Sequence, residues 1–176
     1  DTTSTKFDTI SLMSIAVLEK GKTITKKNIL EGEIPVIAGG QTSPYNHNVA
    51  NYDGNVITIS ASGAYAGYVW YHRTPIFASD CTVIYSKDES VFKTEYIYEV
   101  LKAQQEYLYS LQRGAAQPHV YAKDLNNILI PKVPIEKQEE IIRHVINIRN
   151  HATQLLENGI NNFNKVKIDI ENLIIK

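Results

Sequence analysis

Arg113, Gln117, His119, Tyr121 and Lys123 crowd into the stretch LQRGAAQPHVYAKDL, residues 111–125, between a helical run and a short apolar run. A surface turn needs only Gly or Pro, and this one adds a dense set of hydrogen-bond donors. Three other stretches share that character. AGGQTSPYNHNVANYDGN (38–55) sets Gln41, Ser43, Tyr45, Asn46 and His47 behind glycines that let the backbone approach a ligand closely. KGKTITKK (20–27) gathers Lys20, Lys22, Lys26 and Lys27 around Thr23, a local positive patch suited to phosphates. GAYAGYVWYHR (63–73) interleaves Tyr65, Tyr68, His72 and Arg73. Asn and Gln pair bidentately with adenine, and Arg and Lys with guanine, so the chemistry on offer is the reading of base edges in a DNA groove. Each stretch also has a plainer reading: polar loops and basic runs are solvated, and alternating tyrosines are one face of a strand.

Catalytic arrangements are not supported. An adenine methyltransferase would show a glycine-rich cofactor loop and a motif with paired prolines to grip the flipped base, and TSPYN (42–46) has one proline. No Asp or Glu has Lys two positions later, as a metal nuclease usually requires. Ser60 and Ser62 lack the G-x-S-x-G elbow. His144 and His151 share a helix face without a third ligand and read as solvated surface. Neither a cofactor nor a metal is expected.

Length and charge set the bounds. At 176 residues the chain suffices for one domain, or one domain with an appendage. Eighteen basic and 19 acidic residues leave a net charge of −1, which argues against a non-specific DNA coater and against a membrane surface. Cys81 is the only cysteine, so no internal disulfide forms and a reducing cytoplasm fits. No apolar run is long enough to span a bilayer. The chain opens on Asp1 rather than Met, which reads as a piece cut from something longer.

The elements that must position these residues change character once, near IPKVP (130–134): all eleven tyrosines and eight of nine glycines lie before it. The front part reads as α+β. IPVIAG (34–39), NVITISAS (55–62), GYVWYH (67–72) and CTVIYS (81–86) are β-branched and aromatic runs bounded by turn formers, which predicts strands. TEYIYEVLKAQQEYLYSLQRG predicts one helix laid on that mixed sheet, capped by Thr94 and stopped at Arg113 and Gly114.

The tail, 134–176, predicts one long C-terminal helix. Ile141, Val145, Ile148, Ala152 and Leu155 follow steps of four and three, a coiled-coil seam, and Phe163, Val166, Ile170 and Leu173 resume it after a step of eight. Gly159 sits at the irregularity, where a bend or break is expected. If continuous from about Gln138, such a helix is roughly 55 Å long. Its stripe needs a partner, another helix of a larger chain or a second copy.

The ordered series GKTI, IPVIAGGQTSPYN, VITISASGAYAGYVWY, PIFASDCTVIY and EYLYSLQRGAAQPHVYAKDLNNILIPKVPIEKQEEI resembles one target recognition domain with its conserved helix in the specificity subunits of type I restriction-modification systems. It is similar, too, to the C-terminal regions of fused restriction-methyltransferases. The most telling part is a G-x-x-Q-P-H-like loop (114–119), an L-x-x-L-x-I-P run (125–131) and P-x-x-x-Q-E-x-I (134–141). The resemblance implies a recognition domain over 1–133 that reads one half of a bipartite site in double-stranded DNA, and a spacer or dimerisation helix over 134–176. It implies as partners an N6-adenine methyltransferase subunit, a restriction subunit, and a second recognition domain or a second copy through the helix. Arg113, Gln117, His119 and Lys123 then form a loop at the DNA surface, or Gln117 and His119 lock the domain to the helix root. A protein-interaction or carbohydrate-binding module on a coiled-coil stalk is the alternative that net charge and tyrosine content also suit.

Overall fold

The computed structural model describes residues 7–174. In chain order its first elements are β1 (Thr9–Ser11), α1 (Leu12–Ile15), β2 (Ala16–Lys20), β3 (Ile34–Ile37), β4 (Tyr45–His47), β5 (Val56–Ser60) and β6 (Val69–His72). There follow β7 (Phe77–Ala78), β8 (Cys81–Ser86), α2 (Thr94–Ala103), α3 (Gln105–Ser110), α4 (Ala122–Leu125), β9 (Leu129–Pro131) and α5 (Ile135–Ile174). The four expected strands form, that at 81–86 over its full length and the other three a residue or two shorter at their ends.

Burial explains which strands lie in the middle. All five residues of β5 are buried, and five of the six in β8, the pattern of strands covered on both faces. They sit at the centre of a wholly antiparallel sheet ordered β2-β8-β5-β6. A second sheet, β4-β3-β7, pairs β3 antiparallel to β4 and parallel to β7. Ile37, Val56, Ile76, Ala78, Cys81 and Val83 pack into one cluster that includes residues of both sheets, with Tyr52, Trp70 and Tyr85 against it. At about 1.5 to 3 kcal/mol for each large apolar side chain removed from water, such clusters supply the main driving force. Helix α2 packs on β5, β6 and β8, burying Tyr96, Ile97 and Leu101.

The single helix expected after Thr94 is two. It breaks at Gln104, and Gln105 turns its side-chain amide onto the edge of β6, accepting from Val69 N–H at 3.1 Å and donating to the Gly67 carbonyl at 2.8 Å. Nor does Thr94 cap: Lys93 holds the cap position, and the fully buried Thr94 hydroxyl accepts from Ser86 N–H at 2.8 Å.

Helix α5 runs 40 residues without interruption, about 60 Å at 1.5 Å per residue. The break expected at Gly159 does not occur. One glycine costs a helix only about 1 kcal/mol, and the step of eight divides into two of four, from Leu155 to Gly159 to Phe163, which keeps the seam on one side. The chain divides into two compact units between Glu139 and Glu140, so the first turn of α5 belongs with the sheets. Gln138 fixes that turn. Its side chain is fully buried, accepting from Lys93 N–H at 2.9 Å and donating to the Val91 and Val133 carbonyls at 2.8 and 3.0 Å.

Removing a buried group that satisfies three backbone partners leaves those partners unpaired, at about 1 to 3 kcal/mol each. Gln138→Ala is expected to destabilise the first unit by about 3 kcal/mol, read as a lower urea midpoint at unchanged slope. An unaltered midpoint would remove Gln138 from this role.

Candidate nucleic-acid interface

Strand register decides which loops are neighbours. Lys20 pairs with Thr82, Ser60 with Cys81, and Ile59 with Val69, so the end of β2, the start of β8, the end of β5 and the start of β6 lie at one end of the central sheet. The second sheet joins that end through β3: Ser79 N–H donates to the Ile37 carbonyl at 2.7 Å. The lysine-rich segment is tied down there as well. Gly21 N–H donates to the Cys81 carbonyl and Lys22 N–H to the Ala78 carbonyl, both at 2.9 Å. Lys20, Lys22, Thr23, Lys26 and Lys27 are all exposed, and the Lys26 ammonium stands 5.7 Å above the ring of exposed Tyr45.

Parts of all four sequence-nominated segments therefore meet. The turn after β3 carries exposed Gln41, and Asn46 follows on β4. The turn after β5 carries exposed Tyr65. The 111–121 segment, which links α3 to α4 and β9, folds back on itself, Arg113 and His119 exchanging backbone hydrogen bonds at 2.9 and 2.8 Å. It is stitched to the β5 turn by Gly63 N–H on the Pro118 carbonyl and Val120 N–H on the Ala61 carbonyl, each at 3.0 Å. Gln117 is exposed on this loop, and Lys123 is exposed beyond it with its ammonium 5.6 Å over the Tyr121 ring.

Several nominated residues have other work. His47 is buried, its Nδ1 accepting Leu30 N–H at 3.0 Å and its ring edge-on to Phe77, because it faces inward from β4. His72 is buried at the far end of the sheet and bonds the Thr58 hydroxyl at 2.8 Å. Arg73, next to it, is ion-paired with Glu95, so this pair lies apart from Tyr65 and Tyr68 by the length of β6. Ser43 braces its own turn by donating to the Val36 and Tyr45 carbonyls. Tyr68 is half-buried beneath the Lys102 ammonium, 4.1 Å from its ring. Arg113 is committed to Asp124 at 3.0 Å. His119 is half-buried with its ring stacked on Tyr121; its backbone closes the loop on Arg113, and its neighbours Pro118 and Val120 hold the loop to the β5 turn, while Gln138 secures the helix root. Sequence reasoning missed Gln105, Gln138 and Asp80, whose one visible signal was that Asp80 stands in a turn directly before a strand.

Burial pushes the Cys81 thiol up to about 12, which makes it a packing residue. Among the described residues no group of His, Cys, Asp and Glu could hold a metal ion. In the second unit, Ile148, Leu155, Phe163, Val166, Ile170 and Leu173 are exposed along α5. Among the described residues no helix is long and apolar enough to cross a membrane.

The architecture is a mixed-sheet globule that presents basic and amide-bearing loops at one end, followed in the chain by a long helix. The chain belongs to the type I restriction modification DNA specificity domain family, whose model matches residues 5–164. It is 27% identical over 154 residues to a Mycoplasma pneumoniae protein named as a type I specificity subunit, covering 84% of this chain and 40% of that one. It is 29% identical over 89 residues to the type I restriction enzyme MjaVIII specificity subunit of Methanocaldococcus jannaschii, covering 51% and 21%. The fold matches a type I restriction-modification S subunit from M. genitalium with a TM-score of 0.75 at 21% identity, over 89% of this chain and 43% of that one. The HsdS subunit of Thermoanaerobacter tengcongensis matches with a TM-score of 0.62 at 17% identity, over 88% and 40%. The chain thus spans two fifths or less of the length of the Mycoplasma pneumoniae and Methanocaldococcus jannaschii relatives.

His72 yields a pH signature. Burial lowers its pKa from 6.5 to about 4, so the unfolded chain takes up a proton that the folded chain refuses. The resulting stability is complete above the unfolded value and is lost as pH falls through 6.5 toward 4, up to about 3 kcal/mol. In wild type the imidazole should remain neutral by NMR until near pH 4, and His72→Gln should flatten the decline in this window. An imidazole titrating near its ordinary value refutes the assignment.

Proposed function

We propose that this chain reads one half of a bipartite site in double-stranded DNA and brings an N6-adenine methyltransferase, and with it a restriction subunit, to that site. The observation that carries the reading is the meeting of the lysine segment and the glutamine- and asparagine-bearing turns at one end of the two sheets. Membership of the DNA specificity family supports it. In this reading 1–133 is the recognition domain and 134–176 the spacer or dimerisation helix.

Lys20, Lys22, Lys26 and Lys27, on a segment held by backbone bonds to 78–81, neutralise phosphates and set the register on the duplex. Thr23 lies among them. Gln41 and Asn46 supply the amides that can address adenine, and Tyr45, with Lys26 over its ring, offers a flat apolar face beside them. Gln117 and Lys123 extend the surface on the adjoining loop. Arg73 and Arg113, paired with Glu95 and Asp124, contribute structure instead.

The α5 seam, half-buried at Ile141 and Val145 and exposed at Ile148, Ala152, Leu155, Phe163, Val166, Ile170 and Leu173, takes a second helix, from a further recognition repeat or a second copy, and the methyltransferase docks on the pair. A stripe of that length left in water is unfavourable at about 25 cal/mol per Å².

Two measurements test these roles. Lys22→Ala and Lys26→Ala should weaken binding to every duplex and each reduce the salt slope by about one, whereas Gln41→Ala should cost about 1 to 3 kcal/mol at a single base position. Equal loss on all sequences would strike Gln41 from base reading, and a flat salt response in wild type would favour a protein- or carbohydrate-binding role. For the helix, Ile148→Lys should shift sedimentation to smaller species, alone or with the methyltransferase, at an unchanged unfolding midpoint of the first unit. A sedimentation profile identical to wild type in both mixtures would exclude the seam.

A further inference from the structure

Contacts at the loop-bearing end converge on one carboxylate. Asp80, in the turn between β7 and β8, accepts a hydrogen bond from Ser62 Oγ on its Oδ2, and its backbone carbonyl accepts Ala61 N–H at 3.2 Å. Ser62 lies between the two residues that hold the neighbouring loop: the Ala61 carbonyl takes Val120 N–H, and Gly63 N–H reaches the Pro118 carbonyl, each at 3.0 Å. On its other side the Ser62 carbonyl faces Gly39. A Cβ on Gly39 would stand 2.5 Å from that oxygen, so only the missing side chain lets the two turns approach. Gly63 follows at φ +85°, a left-handed conformation that bends the backbone toward the 113–119 loop.

An acid among lysines is unfavourable for an anionic ligand unless it serves the fold. A carboxylate without a proton only accepts, and this one takes a hydroxyl hydrogen from the residue at which three loops join. We propose that Asp80 is a positioning residue for sequence recognition: through Ser62 it holds the 38–46, 61–65 and 113–119 loops in one fixed arrangement. The inference rests on the DNA-reading role proposed above. Base readout demands that side chains on separate loops keep bidentate geometry together, and a shift of a fraction of an ångström between loops breaks it. Phosphate contacts made by long lysine side chains tolerate such a shift, because an ammonium acts as a point charge on a flexible stem. Loss of the Asp80–Ser62 bond therefore lowers discrimination and leaves general affinity in place.

The test uses the full chain and two probes: the duplex that wild type enriches from a random-sequence pool, and a scrambled duplex of equal length. Asp80→Ala and Ser62→Ala should each lower the ratio of the two affinities about tenfold; Ser62→Ala should leave the scrambled-duplex affinity and its salt slope unchanged, and Asp80→Ala, which removes an acid from among the lysines, should not lower that affinity. Asp80→Asn keeps an oxygen that accepts from Ser62 and should keep the ratio. The Asp80→Ala, Ser62→Ala double variant should lose no more than either single one, because both remove the same bond. An unaltered ratio in both single variants, equal loss on both duplexes, or Asp80→Asn behaving like Asp80→Ala overturns the proposal. Should Asp80→Ala fail to fold, Ser62→Ala decides by the same ratio. A wild-type chain that enriches no sequence is a separate result, and it overturns the DNA-reading role itself.

Discussion

The register of β5 between β8 and β6 is the constraint from which the rest of the globule follows. Ile57 and Ile59 are fully buried, and a slip of one residue would turn the alternate faces of a strand that has no solvent side to absorb the error. Fixing that strand fixes the direction of its neighbours, and direction determines which turns share an end. The turn after β5 meets the start of β8 because Ser60 pairs with Cys81. Lys20 arrives at the same end because β2 runs antiparallel along the other side of β8. Backbone pairing brings polar loops that are far apart in the chain to one end of the sheets.

Polar side chains inside the globule serve that backbone. Gln105 satisfies the start of β6, Gln138 the backbone just before α2 and just before α5, Asn51 both backbone groups of Ala78, and Thr94 the end of β8. Each replaces a water that a buried amide or carbonyl would otherwise lack, and the desolvation cost of leaving such groups unpaired exceeds the modest net gain of an ordinary hydrogen bond. The same logic takes His47 and His72 out of the recognition surface. An imidazole can accept from a backbone N–H or pair with a hydroxyl in the interior, provided it stays neutral, and burial enforces that for His72. Arginine behaves similarly: Arg73 and Arg113 find carboxylates on their own domain, whereas the lysines of 20–27 are exposed.

Helix α5 obeys a different rule. Its amphipathic pattern survives Gly159 because the seam advances by two steps of four, locally closer to an eleven-residue than a seven-residue repeat, and an added Cβ at Gly159 would meet nothing within 4 Å. The helix holds together by its own hydrogen bonds, while its apolar side is exposed from Ile148 onward.

Strand runs at 34–39, 55–62, 67–72 and 81–86, the composition change near residue 130, the α+β class and the long tail helix were legible because they rest on local quantities: β-branching, helical periodicity and turn formers read within a few residues. The family resemblance was legible from ordered short motifs. What the chain could not disclose locally was assignment. In the linear sequence His47 and Gln41 are equally polar, Arg73 and Lys26 equally basic, and Gln138 is one glutamine of a surface-like helix. Tertiary structure separated them, since the fate of a polar side chain depends on which buried backbone group or opposite charge the fold brings within about 3 Å. Asp80 is the sharpest case: its partner Ser62 lies on another strand's turn, and only the antiparallel pairing of β5 with β8 makes the two neighbours.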